Sequence, residues 1–96
     1  MIKLVTIWSR PPDGAGFEAY YRDVHTPLAR QLPALSLETM RMAKGDIYRI
    51  ALITFGGDAE LRAAMRSPEG MALAADAKAM EATFAVISTS SVAIVD

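Results

Sequence analysis

The apolar positions change their spacing along the chain, and each change marks an element. Residues 2–8 are β-branched and apolar, which predicts a first strand, ended by the breaker cluster Ser9-Arg10-Pro11-Pro12-Asp13-Gly14. From Ala15 to about Leu32 the spacing shifts to threes and fours. Phe17, Tyr21, Val24, Leu28 and Leu32 form one helical stripe, with Glu18, Arg22, Asp23 and Arg30 off it. Residues 35–43 and 47–55 are extended runs around Lys44-Gly45, where Gly can supply the positive φ of a tight hairpin. Gly56-Gly57 breaks the chain, and Asp58 can cap a short helix through Met65. Ser67-Pro68-Glu69 is a second helix start, with Ser as N-cap and Pro in the first helical position. That helix carries Leu73, Ala77, Met80 and Phe84 on one stripe, and residues 85–95 close the chain as a strand.

The order β-α-β-β-α-β, with its second helical part in two pieces, predicts the ferredoxin-like α+β plan. This is a four-stranded antiparallel sheet with helices on one face. The hairpin strands are apolar at both parities: Leu35, Leu37, Ile50 and Leu52 at one, Met40, Met42, Ile47, Ile53 and Phe55 at the other. A two-residue Lys44-Gly45 turn sets Arg41 opposite Tyr48, whereas a three-residue turn sets Arg41 against Arg49, a like-charge pair. The two-residue register is therefore expected, with the first parity facing the helices. The second parity would be left in water, a patch of the kind that marks an interface, so a homodimer through Met40, Met42, Ile53 and Phe55 is expected.

Length and composition narrow the classes. The chain has 96 residues, enough for one domain spanning 1–96, and 52% are hydrophobic. Ten Lys/Arg against eleven Asp/Glu give a net charge of -1, against a nucleic-acid partner, which calls for a basic face. The absence of Cys excludes disulfides, a thiol nucleophile and a thiolate metal site, and a single His excludes a site of several imidazoles. No apolar run reaches the ~20 residues that span a bilayer, and residues 1–8 do not make a signal peptide. The expectation is a soluble cytoplasmic domain with no membrane partner.

The chemistry-bearing stretch is Tyr20-Tyr21-Arg22-Asp23-Val24-His25-Thr26-Pro27-Leu28. Tyr21 and His25, four apart, share a helix face with Phe17, Val24 and Leu28. Pro27 lacks an N–H and disfavours helical geometry at Thr26, so the helix is expected to kink or end near His25, with an interruption at Thr26-Pro27 that leaves His25 on its last turn. Imidazole ordinarily titrates near neutrality, which suits a general acid or base. A lone His on an apolar face also serves as a hydrogen-bonded packing residue, and spacing alone leaves both roles open. No Ser-His-Asp order, phosphate loop or metal signature is present.

Lys3-Leu4-Val5, Arg10-Pro11, Phe17 with the segment from Tyr21 to Leu28, Leu32-Pro33 and Ser67-Pro68-Glu69-Gly70 together resemble the EthD-like family. That family is named for ethyl tert-butyl ether degradation and belongs to the dimeric α+β barrel superfamily. The resemblance runs over residues 2–95. It implies a ferredoxin-like protomer, a homodimer whose sheets form a barrel, and a small-molecule cleft between sheet and helices. Relatives include muconolactone-isomerase-like enzymes, cofactor-free monooxygenases and dehydratase-like proteins. The family's characteristic His maps onto His25 and its helix tyrosine onto Tyr21. The hairpin at 43–46 is shorter than in many members, which alters the pocket rim, and the lack of Cys excludes an isomerase mechanism that needs a thiol.

The expectation is a small-molecule enzyme without a cofactor. It would move a proton on an apolar, oxygenated metabolite by isomerisation, dehydration or cofactor-free oxidation, in catabolism or biosynthesis. His25 is the candidate acid/base, Tyr21 and Tyr48 the hydroxyl partners, Trp8, Phe17 and Leu28 the apolar walls, and Arg41 an anchor for a carboxylate or enolate. The alternative is a non-catalytic dimeric binding protein for a hydrophobic metabolite, serving a monooxygenase system. A haem-handling barrel would need His25 as the iron ligand.

Overall fold

Asp13, at the end of the Pro-rich turn, caps the first helix. Its carboxylate accepts the Gly16 N–H at 3.0 Å and starts α1 (Gly14–Tyr20). The computed structural model, which describes residues 1–88, shows that this helix does not end at the proline. It widens into a π turn over Tyr21–His25, where the Thr26 N–H reaches back to the Tyr21 carbonyl, and runs on as α2 (Thr26–Ala29). The regular helix is thus interrupted up to His25, as expected, but Thr26 itself stays helical at φ -60°, ψ -43°, so the chain does not leave the helix there. A proline inside a helix removes one hydrogen bond and crowds the carbonyl one turn back. Widening the preceding turn re-spaces those carbonyls and lets the helix continue.

The strands β1 (Ile2–Ser9), β2 (Ser36–Arg41), β3 (Ile47–Phe55) and β4 (Thr83–Ser88) form one antiparallel sheet in the order β2-β3-β1-β4. This is the ferredoxin-like arrangement expected from the element order. The predicted continuation of the last strand to Val95 lies outside the described residues.

Two further helices complete the layer, α3 (Asp58–Arg66) and α4 (Pro68–Ala79). Gly57, not Asp58, is the N-cap of α3, and Asp58 pairs instead with Arg62 one turn on, at 2.7 Å. Ser67 caps α4 as expected, accepting the Gly70 N–H at 3.1 Å. Gly70 allows the two helices to meet: a Cβ there would lie 2.0 Å from the Ala64 carbonyl oxygen. The Ser-Pro-Glu-Gly motif is thus a helix junction. Gly70→Ala should lower stability by ~1–3 kcal/mol through overpacking, read as a drop in thermal midpoint.

The stripe that would carry α4 on to Phe84 stops early. Glu81 takes φ 63°, and the Ala82 and Glu81 N–H groups close on the Ala77 and Lys78 carbonyls at 3.0 and 2.9 Å. This left-handed stop turns the chain into β4, where Phe84 lies opposite Thr6.

The hairpin register is the one that charge pairing disfavoured. Arg41 pairs with Arg49, Leu37 with Ile53 and Thr39 with Ala51. Glu18 on α1 resolves the conflict, with its carboxylate 2.6 Å from Arg49 Nη2 and 3.7 Å from Arg41 Nη1. A bulge lies across from the Trp8/Ser9 step, because Trp8 pairs with Arg49 and Ser9 with Ile47. Tyr48 is the extra residue, so it and Arg49 both turn toward the helices. Arg10 fastens this end of the hairpin, donating from its guanidinium to the Gly45 and Met42 carbonyls at 2.8 and 3.0 Å.

The shifted register reverses the expected faces of β3. Ile53 and Phe55 are 3% and 1% exposed and pack with Leu4, Ala29, Leu32, Leu61 and Leu73 beneath the helices. They are core residues, not interface residues. The opposite face carries Ile50 and Leu52 of β3, Val5 and Ile7 of β1, and Met40 of β2, which is 42% exposed. Lys3 and Glu38 pair at its edge, 3.6 Å apart. Among the described residues no helix is long and apolar enough to cross a membrane.

Candidate functional site

The π turn positions the chemistry. Tyr21 and His25 stand at its two ends on the face turned to the sheet, ring centroids 5.5 Å apart, and both are buried. Trp8 on β1 meets the imidazole edge-on at 5.1 Å and the Tyr21 ring at 5.2 Å, holding both in place from the sheet side.

His25 is 4% exposed, more enclosed than a cleft-lining position would require. Its Nδ1 lies 2.8 Å from Asp76 Oδ2 on α4. An ionised carboxylate only accepts, so Nδ1 carries the proton and donates it. The other Asp76 oxygen accepts from the Tyr20 hydroxyl at 2.5 Å, and that bond holds the Tyr20 phenol above its ordinary range. Among the described residues Nε2 makes no hydrogen bond. The imidazole also borders a small cavity of about 10 Å3 between α4 and the sheet, with Tyr21, Thr6, Thr39, Ala51 and Leu73 among its walls. Burial raises the Tyr21 hydroxyl above the usual phenol range against the pull of Arg49, so it is a neutral donor.

The other candidates are spread around this centre. Leu28 packs against the main core, and Phe17 packs edge-on to Trp8 at 6.1 Å and to Tyr48 at 5.3 Å. Tyr48 donates to Glu18 Oε1 at 2.8 Å. Arg41 borders a separate open cleft of about 580 Å3, which meets the cavity along Tyr21 and Thr26. Trp8, Phe17, Leu28, Tyr48 and Arg41 are therefore not among the residues walling the small cavity. Among the described residues no three His, Asp or Glu side chains converge as a metal cage needs.

Sequence reading missed Asp76, Glu18 and Arg49. Asp76 is 51 residues from His25, and nothing in local spacing links them. Only the docking of α4 against the π turn does. Arg49 stacks over the Tyr21 ring, its guanidinium carbon 4.2 Å from the centroid, while Glu18 holds its other side. Partial burial works to raise the Glu18 carboxyl, but Tyr48, Arg49 and Arg41 outweigh it and hold the group below its usual range. Stability from this cluster is therefore complete above the unfolded carboxyl value of ~4.3 and lost as pH falls through the lower folded value. Wild type and Glu18→Gln should differ in thermal midpoint at neutral pH and converge as acid is added.

No family model matches the chain. An uncharacterized 11.0 kDa protein of Rhodococcus erythropolis is 31% identical over 86 residues, which covers 79% of this chain and 80% of that protein. The crystal structure of an ethyl tert-butyl ether degradation (EthD) family protein from Bacillus halodurans superposes with a TM-score of 0.85 at 25% identity, covering 92% of this chain and 97% of that one. The fold is shared with SnoaB, a cofactor-independent oxygenase from Streptomyces nogalater, at a TM-score of 0.70 and 16% identity over 95% of this chain and 94% of that one.

Proposed function

Since the chain belongs to the EthD family, we propose that it binds a small, apolar, oxygenated metabolite between helix and sheet and moves a proton on it with His25. One observation carries this reading: a buried imidazole that lines a cavity is fixed through Nδ1 by Asp76, while Nε2 makes no hydrogen bond among the described residues. In this tautomer Nε2 is the basic nitrogen. It would take a proton from a substrate C–H or O–H, and the resulting imidazolium would be stabilised by the Asp76 carboxylate. The neutral Tyr21 hydroxyl would donate to the oxygen that gains charge. Returning the proton to a different atom gives an isomerisation, and returning it to a leaving hydroxyl gives a dehydration. The shared fold with a cofactor-independent oxygenase is compatible with a third outcome, in which the carbanion meets oxygen.

The cavity holds about one water molecule at its present size, so substrate entry requires a wall to move. Tyr21 and Thr26 are the wall shared with the open cleft. Two protomers would associate through the sheet face that carries Val5, Ile7, Ile50 and Leu52. The reading is tested by identifying the metabolite that co-purifies, by native mass spectrometry, and assaying its conversion. Conversion by wild type and none by His25→Asn is expected. Equal conversion by both would overturn the role of His25, and tight binding with no conversion would make the protein an accessory binder.

A further inference from the structure

The open cleft beside the cavity has a composition at odds with the rest of the chain. Four of the seven arginines border it, Arg22, Arg30, Arg41 and Arg49, although the whole protein carries a net charge of -1. No lysine does, and Glu18 is the one carboxylate in its wall. Glu18 binds Arg49, and Asp23 beside the cleft binds Arg22 through paired contacts of 2.8 and 3.0 Å. Two positive charges remain. Among the described residues Arg30 has no ion-pair partner, and Arg41 reaches Glu18 only at 3.7 Å. Beneath them Arg49 is held between Glu18 and Tyr21. Its side chain is 13% exposed, its guanidinium stacks on Tyr21, and its Nε is buried without a hydrogen-bond partner.

Planar guanidiniums suit the two oxygens of a carboxylate, which they can bind in a fork, where a lysine offers only a point charge. A phosphate site usually adds backbone N–H groups from a glycine-rich loop or a free helix start, and the cleft wall has neither. Its volume of about 580 Å3 is that of a small-molecule site. It is continuous with the cavity wall at Tyr21 and Thr26, whose other side faces the region of His25.

We propose that this cleft is a carboxylate subsite, so that the metabolite is an organic acid. Its carboxylate is held by Arg41 and Arg30 above the Arg49–Glu18 pair, and its apolar body passes Tyr21 toward His25. The inference rests on the proposed function for where that body goes, but the subsite is tested independently of it. Naphthoate and the uncharged naphthamide are matched in size, and each is titrated against the intact protein by calorimetry. Naphthoate should bind at least about tenfold more tightly, as expected for a charge-assisted pair. The preference should disappear in the Arg30→Gln/Arg41→Gln double variant, in which both replaced side chains are exposed and whose fold is checked by circular dichroism, and persist in His25→Asn.

Equal affinities, no naphthoate binding at millimolar concentration, or a preference that survives in the double variant would each overturn the subsite. Displacement of naphthoate by inorganic phosphate at equal concentration would overturn its assignment to carboxylates. If the carboxylate preference holds while His25→Asn converts the co-purified metabolite normally, the subsite stands and the proton-transfer reading falls. The reverse pattern would leave only the proton-transfer reading.

Discussion

His25→Asn should reduce conversion of the bound metabolite by ~10²–10⁴-fold, the usual share of a general acid/base. Asp76→Asn should come close to it, on the order of 10²-fold, although Asp76 touches no substrate. Its carboxylate oxygen accepts from Nδ1 at 2.8 Å, whereas an amide there can present N–H, push the proton to Nε2 and remove the base. Each change also breaks a buried charge-assisted bond, with a stability loss of ~1–3 kcal/mol. Stability alone therefore does not discriminate, and the readout is rate at a temperature where all variants are folded. Tyr20→Phe is the control. It removes the other bond to Asp76 but leaves Nδ1 its acceptor, so conversion should stay near the wild-type rate. Variants that melt early yet convert normally would make the His25–Asp76 pair a packing device.

Leu52→Asp and Ile53→Asp, one residue apart, should fail in different ways. Leu52 lies on the sheet face away from the helices, and a carboxylate there should split the proposed dimer into folded monomers in sedimentation. Ile53 is 3% exposed among core side chains. An unpaired charge there should lower stability by more than ~3 kcal/mol, a large part of the ~5–15 kcal/mol typical of a domain, and the chain should unfold. A dimer that persists in Leu52→Asp would remove this face as the interface.

That contrast also marks where the sequence was legible. Element order and the Ser67 cap could be read because each depends on a few adjacent residues with one strong preference. The facing of β3 could not, since it is apolar at both parities and a one-residue slip exchanges its faces. Charge was the tie-breaker, and it misled because Glu18, on another element, sits between Arg41 and Arg49. His25 and Tyr21 were visible as a pair four apart. Asp76 was not, for its link to them exists only after α4 has docked. The proline signal at 27 was real, but the backbone answered it by widening a turn, an option that side-chain spacing does not distinguish from a break.

The π turn makes chain length itself part of the site. It holds one residue more than a regular helix would use between Tyr20 and Thr26, much as a frame is shifted by an insertion. Deleting one residue within 22–24 would restore the regular ladder with both flanking halves still in phase, but it would leave Tyr21 and His25 three apart instead of four. Glu18 and Phe17 on one side and Thr26 and Ala29 on the other could then keep their places against the sheet, while the two rings, now 5.5 Å apart, would lose their present offset. The less regular stretch of the helix therefore coincides with the place where the spacing of the two rings is set.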